Sequence, residues 1–270
     1  MSIELLLFAL DTALVNPAEE AGVDGFVIDW EWREKEVRQA GANTQINCQG
    51  PDDLRRVRSL TRKPILCRLN AWGRGSRDEM SCALALGADE LLLPMVQGPE
   101  EVHSFLDHAA GRCKAGILVE QAAAVAHARE LAGLPLDRVY VGLNDLALSR
   151  RTDLFRPLVD GTLDELAQAF HGVPFGFGGL THPCSGDPIP SPLLLAELVR
   201  LGCAFTFLRR SFMADQARFG LGATMLAIRK AWDAATRASA EERRSSRSTL
   251  VDLVESRPIP IRIKEPCARV

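Results

Sequence analysis

Short apolar runs recur along the chain at residues 3–9, 25–30, 64–69, 90–95, 115–120, 138–143, 173–178 and 203–208, each of strand length. Between them apolar residues fall at helical spacing, as in Pro51 to Leu60, Arg77 to Leu86, Glu100 to Ala110, Ala122 to Leu131 and Leu193 to Leu201. Runs such as Glu90 to Met95 and Ala115 to Val119 are almost continuously apolar, so both faces of those strands must be covered, as in a parallel sheet wrapped by helices. Eight such units predict an α/β fold, a (β/α)8 TIM barrel with extra C-terminal helices. The doubly wound open sheet uses the same alternation and remains the competitor. Gly22, Gly87 and Gly202 each stand just before a strand, where a helix end needs a left-handed residue, and they mark the non-catalytic end of the barrel.

The barrel is expected to span residues 1–212, with residues 213–270 as a helical extension. The pattern predicts one long helix from about Met213 to Arg237, then a charged stretch from Glu241 to Arg247, then a further helical segment to about Glu255. Pro258-Ile259-Pro260-Ile261 cannot be helix. Leu250, Val251, Leu253 and Val254 need cover, either from the barrel or from a neighbouring subunit, and the second choice implies a homo-oligomer.

Composition narrows the class. A hydrophobic content of 47% with 25% charged residues is that of a globular protein with a self-sufficient core. The net charge of -3, from 32 basic and 35 acidic residues, provides no field to gather nucleic acid or an anionic membrane. Seven scattered cysteines without a C-x-x-C pair read as reduced thiols, and Glu4 interrupts what would be the apolar core of a signal peptide, so a cytoplasmic location is expected.

In a barrel the active site lies where strands end at their C-terminal side, so the polar residues closing each run are the candidates. Strand two closes with Asp29-Trp30-Glu31-Trp32, strand three with Arg68-Leu69-Asn70, strand four with Gln97, strand five with Glu120-Gln121 and strand six with Asn144-Asp145. Glu120 and Asp145 come from adjacent strands, and paired carboxylates suit a hard cation such as Mg2+, Mn2+ or Co2+. Capping of the next helix is the alternative for either acid alone. Arg68 suits two-point binding of a substrate carboxylate, or else an internal ion pair with Asp29 or Glu31. Gly142 to Asp145 place successive backbone N–H groups where an anion can sit.

These residues resemble the HpcH/HpaI aldolase and citrate lyase beta-chain family of metal-dependent barrel lyases, from strand one to about residue 208. The likeness is carried by Ala21-Gly22-Val23-Asp24-Gly25-Phe26-Val27-Ile28-Asp29, by Arg68-Leu69-Asn70, by Gly87 to Val96, and most specifically by Val119-Glu120 and Gly142-Leu143-Asn144-Asp145-Leu146. The resemblance implies that Glu120 and Asp145 ligate the metal, that Arg68 stabilises a developing oxyanion, and that the amides of Asn144 and Asp145 hold the substrate carboxylate.

Two departures matter. The family's aldolases carry a histidine acid/base where Trp32 stands here, and a glutamine two residues before the metal glutamate where Leu118 stands, which is closer to the branch acting on acyl-CoA thioesters. A substitute proton shuttle is sought in His182, on the loop after strand seven, or in Glu31 or Asp29. Trp30, Trp32 and Trp72 near the mouth imply an apolar substrate contact or simple packing. Three functions compete: an aldolase or lyase joining or splitting an oxo acid and an aldehyde, a lyase on an acyl thioester, and a barrel without catalysis that serves in binding or assembly.

Overall fold

The structure is a computed structural model that describes residues 2–9, 11–32, 49–208 and 210–256. Each of the eight apolar runs forms a strand: β1 Glu4–Phe8, β2 Gly25–Asp29, β3 Ile65–Arg68, β4 Glu90–Leu93, β5 Lys114–Val119, β6 Arg138–Val141, β7 Phe175–Phe177 and β8 Phe205–Leu208. All pair in parallel, in the order β7-β6-β5-β4-β3-β2-β1-β8. The ring then closes across β7 and β8, where Ala204 N–H donates to Phe175 O at 2.9 Å, Thr206 Oγ1 donates to Phe177 O at 3.0 Å, and Gly179 bridges to Phe207. A Cβ at Gly176 would collide with the carbonyl oxygen of Phe205, so this seam requires a residue without a side chain. The closed barrel, rather than the open sheet, is the architecture.

Helices cover the outside. They are α1 Val15–Glu20, α2 Pro51–Leu60, α3 Ser76–Ala85, α4 Pro99–Ala109, α5 Ala122–Ala126, α6 Ala128–Ala132, α7 Leu143–Arg150, α8 Thr162–Ala169 and α9 Ser191–Arg200. Gly22, Gly87 and Gly202 adopt φ of 91°, 95° and 67°, as expected of the turns that feed the strands.

Strand side chains alternate between two cores. Outward residues such as Phe26, Ile28, Cys67, Leu91, Ile117 and Val139 pack beneath the helices. Inward residues Leu6, Phe8, Val27, Leu66, Leu92, Leu118, Tyr140, Phe205 and Phe207 fill the barrel interior as a separate cluster. Two residues before several of these stand Glu4, Glu90 and Arg138, which plug the lower end: Arg138 Nε donates to Glu90 at 2.7 Å and Nη1 to Glu4 at 2.6 Å. Its guanidinium lies 4.3 Å from the centroid of Phe205. Two residues after the same apolar layer stand Asp29, Arg68 and Glu120, so the period of two delivers them to the upper mouth.

The extension differs from the pattern in two places. The expected single helix from Met213 to Arg237 is two, α10 Arg210–Phe219 and α11 Leu221–Arg237, because Gly220 takes φ 88° and ψ 144°. The charged stretch is not a connector; it is the first half of α12 Ala240–Ser256. Ser239 Oγ accepts from Glu242 N–H at 3.2 Å and Glu242 Oε2 accepts from Ser239 N–H at 2.7 Å, a reciprocal cap that starts the helix. Leu250 and Val254 are buried in the outer core, with α12 lying against α9 of the same chain. Arg247 fastens the contact through Leu158 O at 2.6 Å and Glu197 at 2.7 Å. Cover for Leu250 and Val254 therefore needs no second copy. Pro258 to Ile261 lie outside the described residues, as do Cys48 and Cys267. The described cysteines 67, 82, 113, 184 and 203 are free of disulfides. No helix of the described residues is long and apolar enough to cross a membrane.

Candidate active site

Glu120 sits at the centre of the mouth. It follows β5, is 2% exposed, and accepts a hydrogen bond at Oε2 from Met95 N–H at 3.2 Å. It does not cap the next helix: α5 is preceded by Gln121 and has no side-chain cap. Burial, then the negative charges of Glu31 and Asp145, pushes the Glu120 carboxyl up to about 8, against the opposing pull of Arg68 and the Met95 amide. Among the described residues, Arg68 is the guanidinium whose pull opposes these charges at Glu120.

That cation is Arg68, 3% exposed at the end of β3. Nε and Nη2 donate to the two oxygens of Asp29 at 2.8 and 2.7 Å, and Nη1 lies 3.1 Å from Glu31. The internal ion pair that the sequence left as one alternative is thus present. Burial disfavours the charge, but Asp29 and then Glu31 more than offset it and hold the guanidinium well above its ordinary pKa. A guanidinium has five N–H donors, so this arrangement leaves some for a ligand. Asp29 is itself set in place: its N–H donates to Gln49 Oε1 at 3.0 Å, and Gln49 Nε2 donates to Ala9 O at 2.6 Å.

Opposite Glu120 begins α7, with Gly142 as its N-cap and Asp145 in its first turn. Asp145 is 8% exposed and stands inside the first turn of α7 rather than at its N-cap. The first-turn amides of a helix have no carbonyl four residues back and are left for another acceptor. Nδ2 of Asn144 is buried without a hydrogen-bond acceptor. A buried amide donor in that state costs about 1–3 kcal/mol unless something accepts from it, which marks the place for a ligand oxygen.

Among the described residues no group of three or more His, Cys, Asp or Glu converges as a closed metal cage. Two strand-end carboxylates in a buried mouth still fit a hard cation, because Mg2+ commonly takes one or two carboxylates and completes its shell with water and substrate.

The remaining candidates are dispersed. His182 is half-buried on the loop after β7, where its ring stacks on Phe219 at 4.2 Å between centroids and its Nδ1 accepts from Cys184 N–H at 3.2 Å. A neutral ring in this setting carries its proton on Nε2. The loop is anchored to α10 by Asp215, which accepts from Thr181 Oγ1 and, at 3.0 Å, from Ser185 Oγ. Trp32 is 56% exposed, with its N–H donating to Asn70 Oδ1 at 3.2 Å. Trp30 belongs to the outer core, and Trp72 packs against it. Gln97 is exposed, and its N–H serves the cap of α4 through Glu101.

Sequence reasoning missed Gln49, Met95 and Glu79, the last of which holds Asn70 Nδ2 at 2.6 Å. Gln49 stands outside any periodic segment. The Met95 contribution is made by a backbone amide, which no side-chain pattern reveals.

No protein-family model and no curated protein matches the chain. Solved structures do. CitE from Mycobacterium tuberculosis in complex with magnesium and pyruvate aligns with a TM-score of 0.59 at 16% identity, over 93% of this chain and 98% of that one. A citrate lyase from Burkholderia xenovorans aligns with a TM-score of 0.60 at 14% identity, over 96% and 94%. Tryptophan synthase from M. tuberculosis aligns comparably, with a TM-score of 0.58 at 14% identity over 88% and 94%. Barrels of different chemistry match to the same degree, so the likeness is one of fold: this chain has the (β/α)8 architecture that those enzymes share.

Proposed function

We propose that the barrel is a divalent-metal-dependent carbon–carbon lyase of the aldolase type, acting through the enolate of a 2-oxo acid. The observation that carries this reading is the buried Glu120 at the end of β5, its carboxyl pushed up by burial and by the nearby charges of Glu31 and Asp145. Keeping a carboxylate ionised out of water is costly, and a cation held by Glu120 and Asp145 would lower that cost. Mg2+ is the expected ion, with Mn2+ or Co2+ as substitutes; it would supply Lewis-acid polarisation of the keto oxygen.

The chain's own groups do the rest. Asn144 Nδ2 and the first-turn amides of α7 bind the substrate carboxylate. Arg68, held flat by Asp29, donates a remaining N–H to the oxygen that gains charge as the enolate forms. His182 Nε2 or the carboxyl of Glu31 moves the proton in place of the histidine that Trp32 replaces. The citrate lyase and the magnesium- and pyruvate-bound CitE among similar folds support this reading, as does the motif resemblance. The substrates are then a small oxo acid and an aldehyde.

A second reading has one observation in its favour. Leu118 lies directly below Glu120 in the apolar barrel interior, so the floor of the site has no amide side chain to position a free pyruvate. An acyl thioester on coenzyme A or a carrier is the alternative substrate.

Calorimetry with Mg2+ or Mn2+ and with pyruvate or oxalate separates these. Metal-dependent oxalate binding by the parent, lost in Glu120→Ala and in Asp145→Ala, is expected. A parent that binds neither metal nor oxalate overturns the proposal; metal binding without oxalate binding transfers it to the thioester.

A further inference from the structure

Two backbone features converge on the Glu120 side chain, one on each carboxylate oxygen. Met95 follows β4 with φ 58°, in the left-handed region that costs a residue with a side chain about 1–2 kcal/mol. Such a conformation persists where its surroundings impose it. Here it aims the Met95 N–H at Glu120 Oε2, at 3.2 Å, while Gln121 Nε2 lies 3.5 Å from the Met95 sulfur. On the other side, Glu120 lies across the start of α7 in space that only a glycine leaves open. A Cβ at Gly142 would stand 2.6 Å from Cγ and 2.8 Å from Cδ of Glu120, and closer still to Oε1.

Gly142 has φ -85° and ψ 93°, which any residue can adopt. Backbone conformation therefore does not demand glycine at this position. What demands it is the Glu120 side chain passing over its Cα.

We infer that Met95 and Gly142 are positioning residues that fix the aim of Glu120: the Met95 amide pins Oε2, and the missing side chain at Gly142 lets Oε1 lie beside the first turn of α7, next to Asp145. This inference rests on the metal reading above for its consequence, but its steric content stands by itself. Groups that orient a metal ligand without touching the metal typically govern its affinity by 10- to 100-fold. Alanine at 142 leaves the helix start intact and turns the carboxylate away.

The test is a double-mutant cycle on the full chain, with thermal unfolding without metal and Mg2+ calorimetry as separate readouts, comparing the parent, Gly142→Ala, Glu120→Ala and the double variant. Gly142→Ala is expected to lower Tm in the parent background but not in the Glu120→Ala background, where nothing obstructs the methyl. It is also expected to weaken Mg2+ binding at least tenfold. Equal Tm losses in both backgrounds, or unchanged Mg2+ affinity in Gly142→Ala, overturn the inference. A parent that does not bind Mg2+ sinks the metal reading instead, while the two Tm differences still decide whether Gly142 holds Glu120.

Discussion

Arg68 and Asp29 meet edge to edge at the barrel mouth, two N–H donors on two carboxylate oxygens at 2.8 and 2.7 Å, with both side chains at most 3% exposed. The pair is a fixed platform, and what it leaves free is the remaining donor capacity of the guanidinium. Arg68→Ala removes the guanidinium that the buried carboxylates of Asp29 and Glu31 share. A loss of about 3–5 kcal/mol in urea unfolding at neutral pH is expected, on the scale of breaking one partner out of a buried pair. Arg68→Lys keeps the charge but not the two-point geometry, and is expected to retain part of the stability while losing oxalate binding.

Stability without metal follows Glu120. Its carboxyl rises from the ordinary 4.5 to about 8 on folding, first through burial and then through Glu31 and Asp145. The native state therefore holds an extra proton between those values, so stability declines as pH is raised through that window and is level above it. Tm is expected to fall on the order of 5–10 °C between pH 5 and pH 8. Glu120→Gln removes most of that slope, and saturating Mg2+ restores Tm at pH 8 in the parent alone. A parent whose Tm is flat across this range contradicts the account.

Asn144 offers a separable prediction, because its orphaned Nδ2 is assigned to substrate and not to metal. Asn144→Asp replaces a donor with an acceptor of negative charge. Oxalate affinity measured in saturating Mg2+ is expected to drop at least tenfold, the equivalent of about 1.4 kcal/mol, with Mg2+ affinity unreduced.

His182 is stacked on Phe219 and accepts from the Cys184 amide, so packing and proton transfer must be distinguished. His182→Phe preserves the stack and removes the proton carrier. A fall of about 10²–10⁴ in kcat with unchanged Tm and Mg2+ affinity marks it as the acid/base. An unchanged kcat assigns the shuttle to Glu31.

Leu250 tests the extension. It is 1% exposed where α12 meets α9, so Leu250→Ala is expected to cost about 2–4 kcal/mol by chemical denaturation and to leave Mg2+ affinity unchanged. A negligible loss would mean that α12 is not part of the folded unit.

The sequence by itself determined the eight strands, as in the run 90–95 that contains Glu90–Leu93, and the delivery of Asp29, Arg68 and Glu120 to strand ends. Continuous apolarity and a period of two are local properties, readable within a few residues. The start of α12 went unread, although Ser239 and Glu242 stand at the spacing of a reciprocal cap. The break at Gly220 was less legible, since one glycine inside an apolar pattern is compatible with an unbroken helix. Only the tertiary structure decided closure of the barrel at Gly176, the partner of Arg68 39 residues away, and the hold of Met95 and Gly142 on Glu120. These depend on which backbone atoms the strand register brings within hydrogen-bonding or van der Waals distance, and residue identity alone carries no record of that distance.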